Sequence, residues 1–256
     1  SFCGEGTLDY NAKTYLDINH IHAPRPFSIN RYEREPGCEN IENLMSIFSP
    51  RDIEKSTVEY FSPYLERVAD KESKYNFHNL GFPYCIPGST NIVGYELRGY
   101  QGFKGKAEGS NSSSAAWIVD FSKKPEKIEN IYIAESGFDI MAFYQYNKAM
   151  IATDKSIFVS TGGSFSDGQI IALKSYYTNA EFIDCFDNDL QGHLYGCRMA
   201  ALVEGKLLKT EIRGENVIFS LGEREFSMNN KDVTTDAFLR EAGLRDVIRV
   251  FKAPAD

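Results

Sequence analysis

The sequence predicts an α/β fold, a parallel sheet with flanking helices preceded by a smaller α+β module. Short apolar, β-prone runs at Ile131–Ala134, Ile157–Ser160 and Phe182–Phe186 each lead into a helix-like segment, so this part of the chain reads βαβαβα. Acids follow the first and third runs: Glu135 and Asp139 in Ile131-Tyr-Ile-Ala-Glu-Ser-Gly-Phe-Asp139, then Asp187 and Asp189 in Phe186-Asp-Asn-Asp-Leu-Gln-Gly192. A chain of 256 residues, 42% apolar and 25% charged, has room for one large or two modest domains with a real core.

Residues 1–40 hold Pro24, Pro26 and Pro36 among mixed aromatic and polar residues with no sustained period, and read as an arm or irregular layer. Residues 41–126 make the α+β module. Its helical patterns run from Glu39 to Phe48 and from Arg51 to about Lys71. They break at Ser49-Pro50 and again at Pro63, because proline disfavours the helical region for the residue before it. From Leu80 to Trp117 glycine, aromatic and β-branched residues dominate, the composition of a small antiparallel sheet, with Ser110-Asn-Ser-Ser-Ser114 as a loop. Charged Lys123 to Lys127 leads into the sheet domain, residues 127–256. There Ser166-Asp-Gly-Gln169 has the spacing of a capping box and predicts a helix through Ile170 to Tyr177. Gly192 to Glu204 sets Leu194, Cys197 and Ala201 on one helix face, with Gly205 as the C-cap. Leu207 to Ile212 and Val217 to Leu221 read as a strand pair, and Lys231-Asp232 as the N-cap of a helix from Thr235 to Ala242.

The acids therefore project from the carboxyl ends of parallel strands, where open α/β sheets bind ligands. Carboxylates meeting there repel one another, and a hard, oxygen-seeking cation such as Mg²⁺ or Mn²⁺ relieves the repulsion, so the pattern points to metal-dependent phosphoryl transfer. Each piece also has a plainer use, since an Asp-x-Asp after a strand is good turn and N-cap chemistry. Upstream, Ile92-Val-Gly-Tyr-Glu-Leu-Arg98 and Phe103-Lys-Gly-Lys106 place Arg98, Lys104 and Lys106 in a Gly-rich stretch. It is either a solvated hairpin or a phosphate cradle, in which a guanidinium offers a planar fork and lysine a flexible point charge.

On these motifs, the stretch from about Ile128 to Gly205 resembles a TOPRIM domain, the catalytic unit shared by bacterial primases, topoisomerases and some nucleases, and most of all its primase branch. Glu135-Ser-Gly-Phe-Asp139 is similar to the primase element Glu-Gly-x-x-Asp, with Ser136 where glycine is usual. Gly162-Gly163-Ser164 is similar to the Gly-Thr turn after the second strand, and Phe186 to Gly192 to the element Phe-Asp-x-Asp-x-x-Gly. Arg98, the lysines after it and Gly109-Ser110 resemble the Gly-Phe-x-x-Arg run with its following lysine and Asn-Ser pair. Lys231-Asp232 resembles a Lys-Asp-Trp-Asn element of mobile-element primase-like proteins, without the Trp and Asn.

The resemblance implies a TOPRIM-like sheet after a primase-like module, and a DNA primase-like, metal-dependent nucleotidyltransferase acting on single-stranded DNA and nucleoside triphosphates. It implies a setting in the replication or transfer of a mobile element, with helicase or mobilisation proteins as partners. It further implies Glu135, Asp187 and Asp189 as catalytic residues and ligands of Mg²⁺ or Mn²⁺, Asp139 in support, and Arg98, Lys104 and Lys106 on phosphate or nucleic acid. Two alternatives stay open: a TOPRIM nuclease using water on the same acids, and a catalytically inactive nucleic-acid-binding module. None of the 15 tyrosines has the context of a topoisomerase nucleophile.

A net charge of -8 argues against a broad nucleic-acid-binding surface while leaving room for a local basic groove. The five cysteines are odd in number and form no Cys-x-x-Cys, so the zinc module typical of replicative primases is not encoded here. His20 and His22 form a His-x-His with no third ligand in sight. No apolar run nears the roughly 20 residues that span a bilayer, and the polar start is no signal peptide, so we expect a cytoplasmic protein without a membrane partner. The chain opens on Ser1 and its first methionine is Met45, and we expect a piece of a longer product.

Overall fold

The computed structural model describes residues 25–74, 77–99, 102–122 and 124–252. Cys3, His20 and His22 lie outside them. The first described strand, β1 (Tyr32–Pro36), falls in the stretch expected to be irregular. Helices α1 (Ile41–Phe48) and α2 (Lys55–Phe61) follow, and then the expectation of helix to about Lys71 fails. Pro63 sits in a single 3-10 turn, Ser62–Tyr64, and the chain turns into β2 (Glu66–Asp70). The reason is tertiary. β2 pairs antiparallel with β1 on one side and with β3 (His78–Cys85) on the other, which buries Val68 and Ala69 and satisfies the backbone on both edges. The antiparallel sheet expected from Leu80 onward is present: β4 (Ile92–Arg98) pairs with β3 and with β5 (Lys104–Lys106).

β6 (Ala116–Val119) joins the two halves. It pairs antiparallel with β3 through Tyr84↔Trp117 and with β8 (Ser156–Ser160) through Trp117↔Ser160. Beyond it β8, β7 (Asn130–Ala134), β9 (Glu181–Asp184) and β13 (Arg249–Val250) run parallel in that spatial order. Among the described residues the main sheet thus has ten strands, and its α/β half is parallel with helices on both faces.

Two apolar layers explain that arrangement. Ile131, Ile133, Ile157 and Val159 face α4 (Asp167–Tyr176) and α5 (Leu190–Val203), which contribute Ile170, Leu173, Cys197 and Ala201. Tyr132, Ala134 and Phe158 face the other way, onto α3 (Gly137–Asn147), α1 and α2, which contribute Ile140, Met141, Leu44 and Phe61. Successive strand residues point to opposite faces, so covering both faces demands the unbroken apolar runs seen in the sequence. Each large side chain fully buried this way is worth roughly 1.5–3 kcal/mol.

The helix signals hold. Gln169 Oε1 accepts from the Ser166 backbone N–H at 2.9 Å, and Gly205 follows α5 in the left-handed conformation with φ +79°. The expected strand pair is in fact a three-stranded antiparallel meander of β10 (Leu208–Arg213), β11 (Asn216–Leu221) and β12 (Arg224–Asn229). Its third strand has few apolar residues and leans on Phe226 stacking against Phe219, a cross-strand contact that local composition does not announce. The last helix, α6 (Thr235–Ala242), is capped by Thr234, whose hydroxyl accepts from Ala237 N–H, and not by Lys231-Asp232. Among the described residues no helix is long and apolar enough to cross a membrane, and Cys38, Cys85, Cys185 and Cys197 are free thiols.

Candidate active site

Glu135 stands one residue past β7, where the strand hands over to α3. Ser136 caps that helix: its backbone N–H and its hydroxyl both donate to Asp139 Oδ2, at 2.9 and 2.6 Å. The serine that departs from the family element therefore has local work, closing a reciprocal cap with Asp139. The loop after β8 is tied to the same corner, because Gly163 N–H donates to the Glu135 carbonyl at 2.7 Å. Gly162 in that loop has φ +73°, and a Cβ there would overlap the buried Tyr84 hydroxyl, so only glycine lets the loop lie this flat.

Arg98, at the end of β4, is held from below. Glu96 lies two residues earlier on the same strand face, is 2% exposed, and accepts from Arg98 Nη2 at 2.6 Å and Nε at 2.8 Å. Its other oxygen accepts from Ser160 Oγ at 3.0 Å, which joins β4 to β8. Burial pushes the Glu96 carboxyl up, and Arg98 and the Ser160 hydroxyl pull it back. The Arg98 guanidinium also lies 5.7 Å from the Phe138 ring centroid.

Arg98, Lys104 and Lys106 line one cavity of about 490 Å³ together with Glu135 and Asp139. Partial desolvation lowers the Lys106 pKa against the pull of Glu96. Asp187 and Asp189 do not line this cavity. They stand exposed beyond β9, the strand beside β7, and reach Glu135 through their charge. Desolvation, then Asp187, Asp139 and Asp189, push the Glu135 carboxyl up to about 7, with Lys252 opposing. Asp187 is also raised, by desolvation, Asp139 and Asp189, and again Lys252 opposes.

Asp189 is at the same time the N-cap of α5, its Oδ1 accepting from Gly192 N–H at 2.7 Å. A Cβ on Gly192 would overlap the Asp187 carbonyl, so that glycine lets the acidic loop fold against the first turn of the helix. The plain use of the motif and the chemical one are thus compatible. Capping engages one oxygen of Asp189 and one of Asp139. Among the described residues no three His, Cys, Asp or Glu side chains are gathered closely enough to hold an ion. The donor set still fits a hard divalent cation in kind: it is carboxylate oxygen throughout, and after desolvation it is neighbouring carboxylates that raise Glu135 and Asp187, a repulsion such an ion relieves.

The family model described as Toprim-like matches residues 132–217, which takes in β7, Glu135, β8, β9, both aspartates and α5. The chain carries a Toprim-like domain. Two solved structures resemble the wider chain. The primase fragment of the bacteriophage T7 primase-helicase protein is 13% identical, with 71% of this chain and 67% of that chain covered and a TM-score of 0.47. A structure of bacteriophage T7 lagging-strand DNA polymerase with primase domains bound to an RNA/DNA hybrid and dTTP is 14% identical, with 70% and 81% covered and a TM-score of 0.46. No curated protein sequence matches.

Sequence reasoning missed two groups around the Toprim-like domain. Glu96 was readable in principle, because Glu and Arg two apart on a strand share a face. Asp184 and Lys252 were not. Asp184 is wholly buried at the end of β9, and Lys252 Nζ donates to its Oδ1 at 2.7 Å from 68 positions further along the chain. The second Asp184 oxygen accepts from Thr235 Oγ at 2.9 Å, and His193 Nδ1 accepts from Thr235 N–H at 3.2 Å, so the Toprim-like domain is locked to α6 beneath the acidic loop.

Proposed function

We propose that this chain is a primase-like nucleotidyltransferase that joins nucleoside triphosphates on a single-stranded DNA template, with Mg²⁺ or Mn²⁺ held by Glu135, Asp187 and Asp189 and with Asp139 in support. The observation that carries this reading is one cavity lined by Arg98, Lys104 and Lys106 together with Glu135 and Asp139. A triphosphate must meet fixed cations and a carboxylate-bound metal together, and the three basic residues and Glu135 line the same cavity. The Toprim-like match over residues 132–217 supports it, since that span contains the acids.

When bound, the divalent cation supplies charge neutralisation at the phosphates and acidifies the attacking 3′-hydroxyl. Arg98 presents a guanidinium fork already aimed by Glu96, so it binds phosphate oxygens with little further ordering. Lys104 and Lys106 add point charges in the same cavity. Without metal the Glu135 carboxyl is raised to about 7; its carboxylate would bind the ion or take the hydroxyl proton. The proposal extends to a cytoplasmic setting in the replication or transfer of a mobile element, with helicase or mobilisation proteins as partners, on the likeness of Lys231-Asp232 to the mobile-element motif.

The test is primer synthesis with Mn²⁺, a single-stranded template and labelled ribonucleotides, at low salt because the net charge of -8 disfavours template binding. Short labelled oligonucleotides are expected from the wild type and none from Glu135→Gln, which keeps shape and removes the proton acceptor. Degradation of the template without synthesis would replace this reading with the nuclease. Binding without either reaction would replace it with the inactive module.

A further inference from the structure

Lys252 reaches the site from a strand that sequence periodicity does not reveal. β13 adds to the parallel edge through Arg249↔Ile183 and Val250↔Asp184, and Phe251 N–H continues the ladder by donating to the Asp184 carbonyl at 2.8 Å. That register brings Lys252 back under the acidic loop, where its side chain is 10% exposed. Its ammonium has three acceptors: Asp184 Oδ1 at 2.7 Å, the Phe186 carbonyl at 3.1 Å and the Gly192 carbonyl at 3.4 Å. Two of these precede Asp187 and the third follows Asp189, so one cation holds both ends of the segment that carries the two acids. The anchor is itself fixed. Asp184 Oδ1 also accepts from Phe186 N–H at 3.0 Å, and its Oδ2 accepts from Thr235 Oγ.

A lysine with three donors and three protein acceptors has nothing left to offer a substrate directly. It acts through the loop. We propose that Lys252 is a positioning residue, whose ammonium staples Asp184 to the Phe186 and Gly192 carbonyls and so sets the geometry in which Asp187 and Asp189 take up a divalent cation. This rests on the reading of those aspartates as metal ligands. Partners that orient ligating carboxylates typically change metal affinity by 10–100-fold when removed.

The experiment uses the full chain and Mn²⁺ alone, titrated by calorimetry, with thermal unfolding measured on the same samples. Lys252→Met should weaken Mn²⁺ binding by roughly tenfold or more. It also leaves Asp184 buried without its partner, so part of that loss could come from a damaged fold. The double change Asp184→Asn with Lys252→Met removes the stranded charge and separates the two effects. We expect it to regain thermal stability while Mn²⁺ binding stays weak, because the two carbonyls remain unstapled. Recovery of both stability and Mn²⁺ affinity in the double variant overturns the proposal and leaves Lys252 a stabilising residue only. Wild-type Mn²⁺ affinity in a folded Lys252→Met protein overturns it as well. Should wild type bind Mn²⁺ no better than an Asp187→Ala, Asp189→Ala variant, the metal reading itself fails and takes this proposal with it. That result is distinct from the others, in which wild-type binding is intact.

Discussion

Glu96 and Asp184 are both buried carboxylates lying beneath the working groups of the site, yet one holds a cation that faces the cavity and the other holds a cation that faces away from it. On the cationic side the partner of the buried acid, Arg98, lines the cavity, and the pair closes within a single strand. On the acidic side the partner, Lys252, is hidden, and the groups aimed outward are the exposed aspartates of the loop it brackets. In the first arrangement the ion pair is local to β4, with Ser160 of β8 and the Phe138 ring in support. The second needs β9, α5, α6 and β13 together, so the acids have no anchor from their own strand pair alone, whereas Arg98 has one two residues away.

Stability is the place where the two sides should differ most. Removing the Asp184 partner with Lys252→Met strands a wholly buried charge and should destabilise by about 3–5 kcal/mol in chemical denaturation. Glu96→Gln removes the charge but keeps an acceptor for Ser160, and Arg98, with its side chain 15% exposed, can turn to water, so a loss of about 1–3 kcal/mol is expected. Equal losses would erase the contrast. The Glu96 change should instead show itself in function, as weaker nucleotide binding with the fold retained, since Arg98 loses its aim.

A pH series sharpens the acidic side. The Glu135 carboxyl is raised from 4.5 to about 7, so across that window the native state keeps a proton that the unfolded chain has released. Stability in chelator should therefore fall as pH rises from about 5 to about 7 and then level, and Glu135→Gln should flatten that slope. The smallest effect belongs to the cap. Ser136→Ala should cost about 1 kcal/mol and Ser136→Gly only a few tenths, measured by urea denaturation, because glycine tolerates the N-cap conformation.

The same contrast explains what the sequence discloses. Acids after strands, the Ser166 to Gln169 box and the two-faced apolar runs are short-range patterns, and they are where the structure places the corresponding elements. The Arg98 side is legible too, since Glu96 and Arg98 alternate on one strand. What failed was long-range. Glu66–Asp70 carries a mixed pattern that continues a helix plausibly, and only its two neighbours make it a strand. β13 is two residues long and has no period at all, so nothing near Lys252 says that it lies under Asp187.

A ribosome builds this protein in one direction, and β13 comes late. At about 5–20 residues per second, the 68 codons from Asp184 to Lys252 take roughly 3–14 s to read. For that interval every residue of the cationic side has been made, and the acidic loop lacks its anchor. Asp184 meanwhile waits without its counter-ion at the edge of a sheet whose last strand has yet to arrive. Such an edge invites wrong pairing. The nascent chain is then most exposed to misassembly in the stretch where its carboxylates are least restrained.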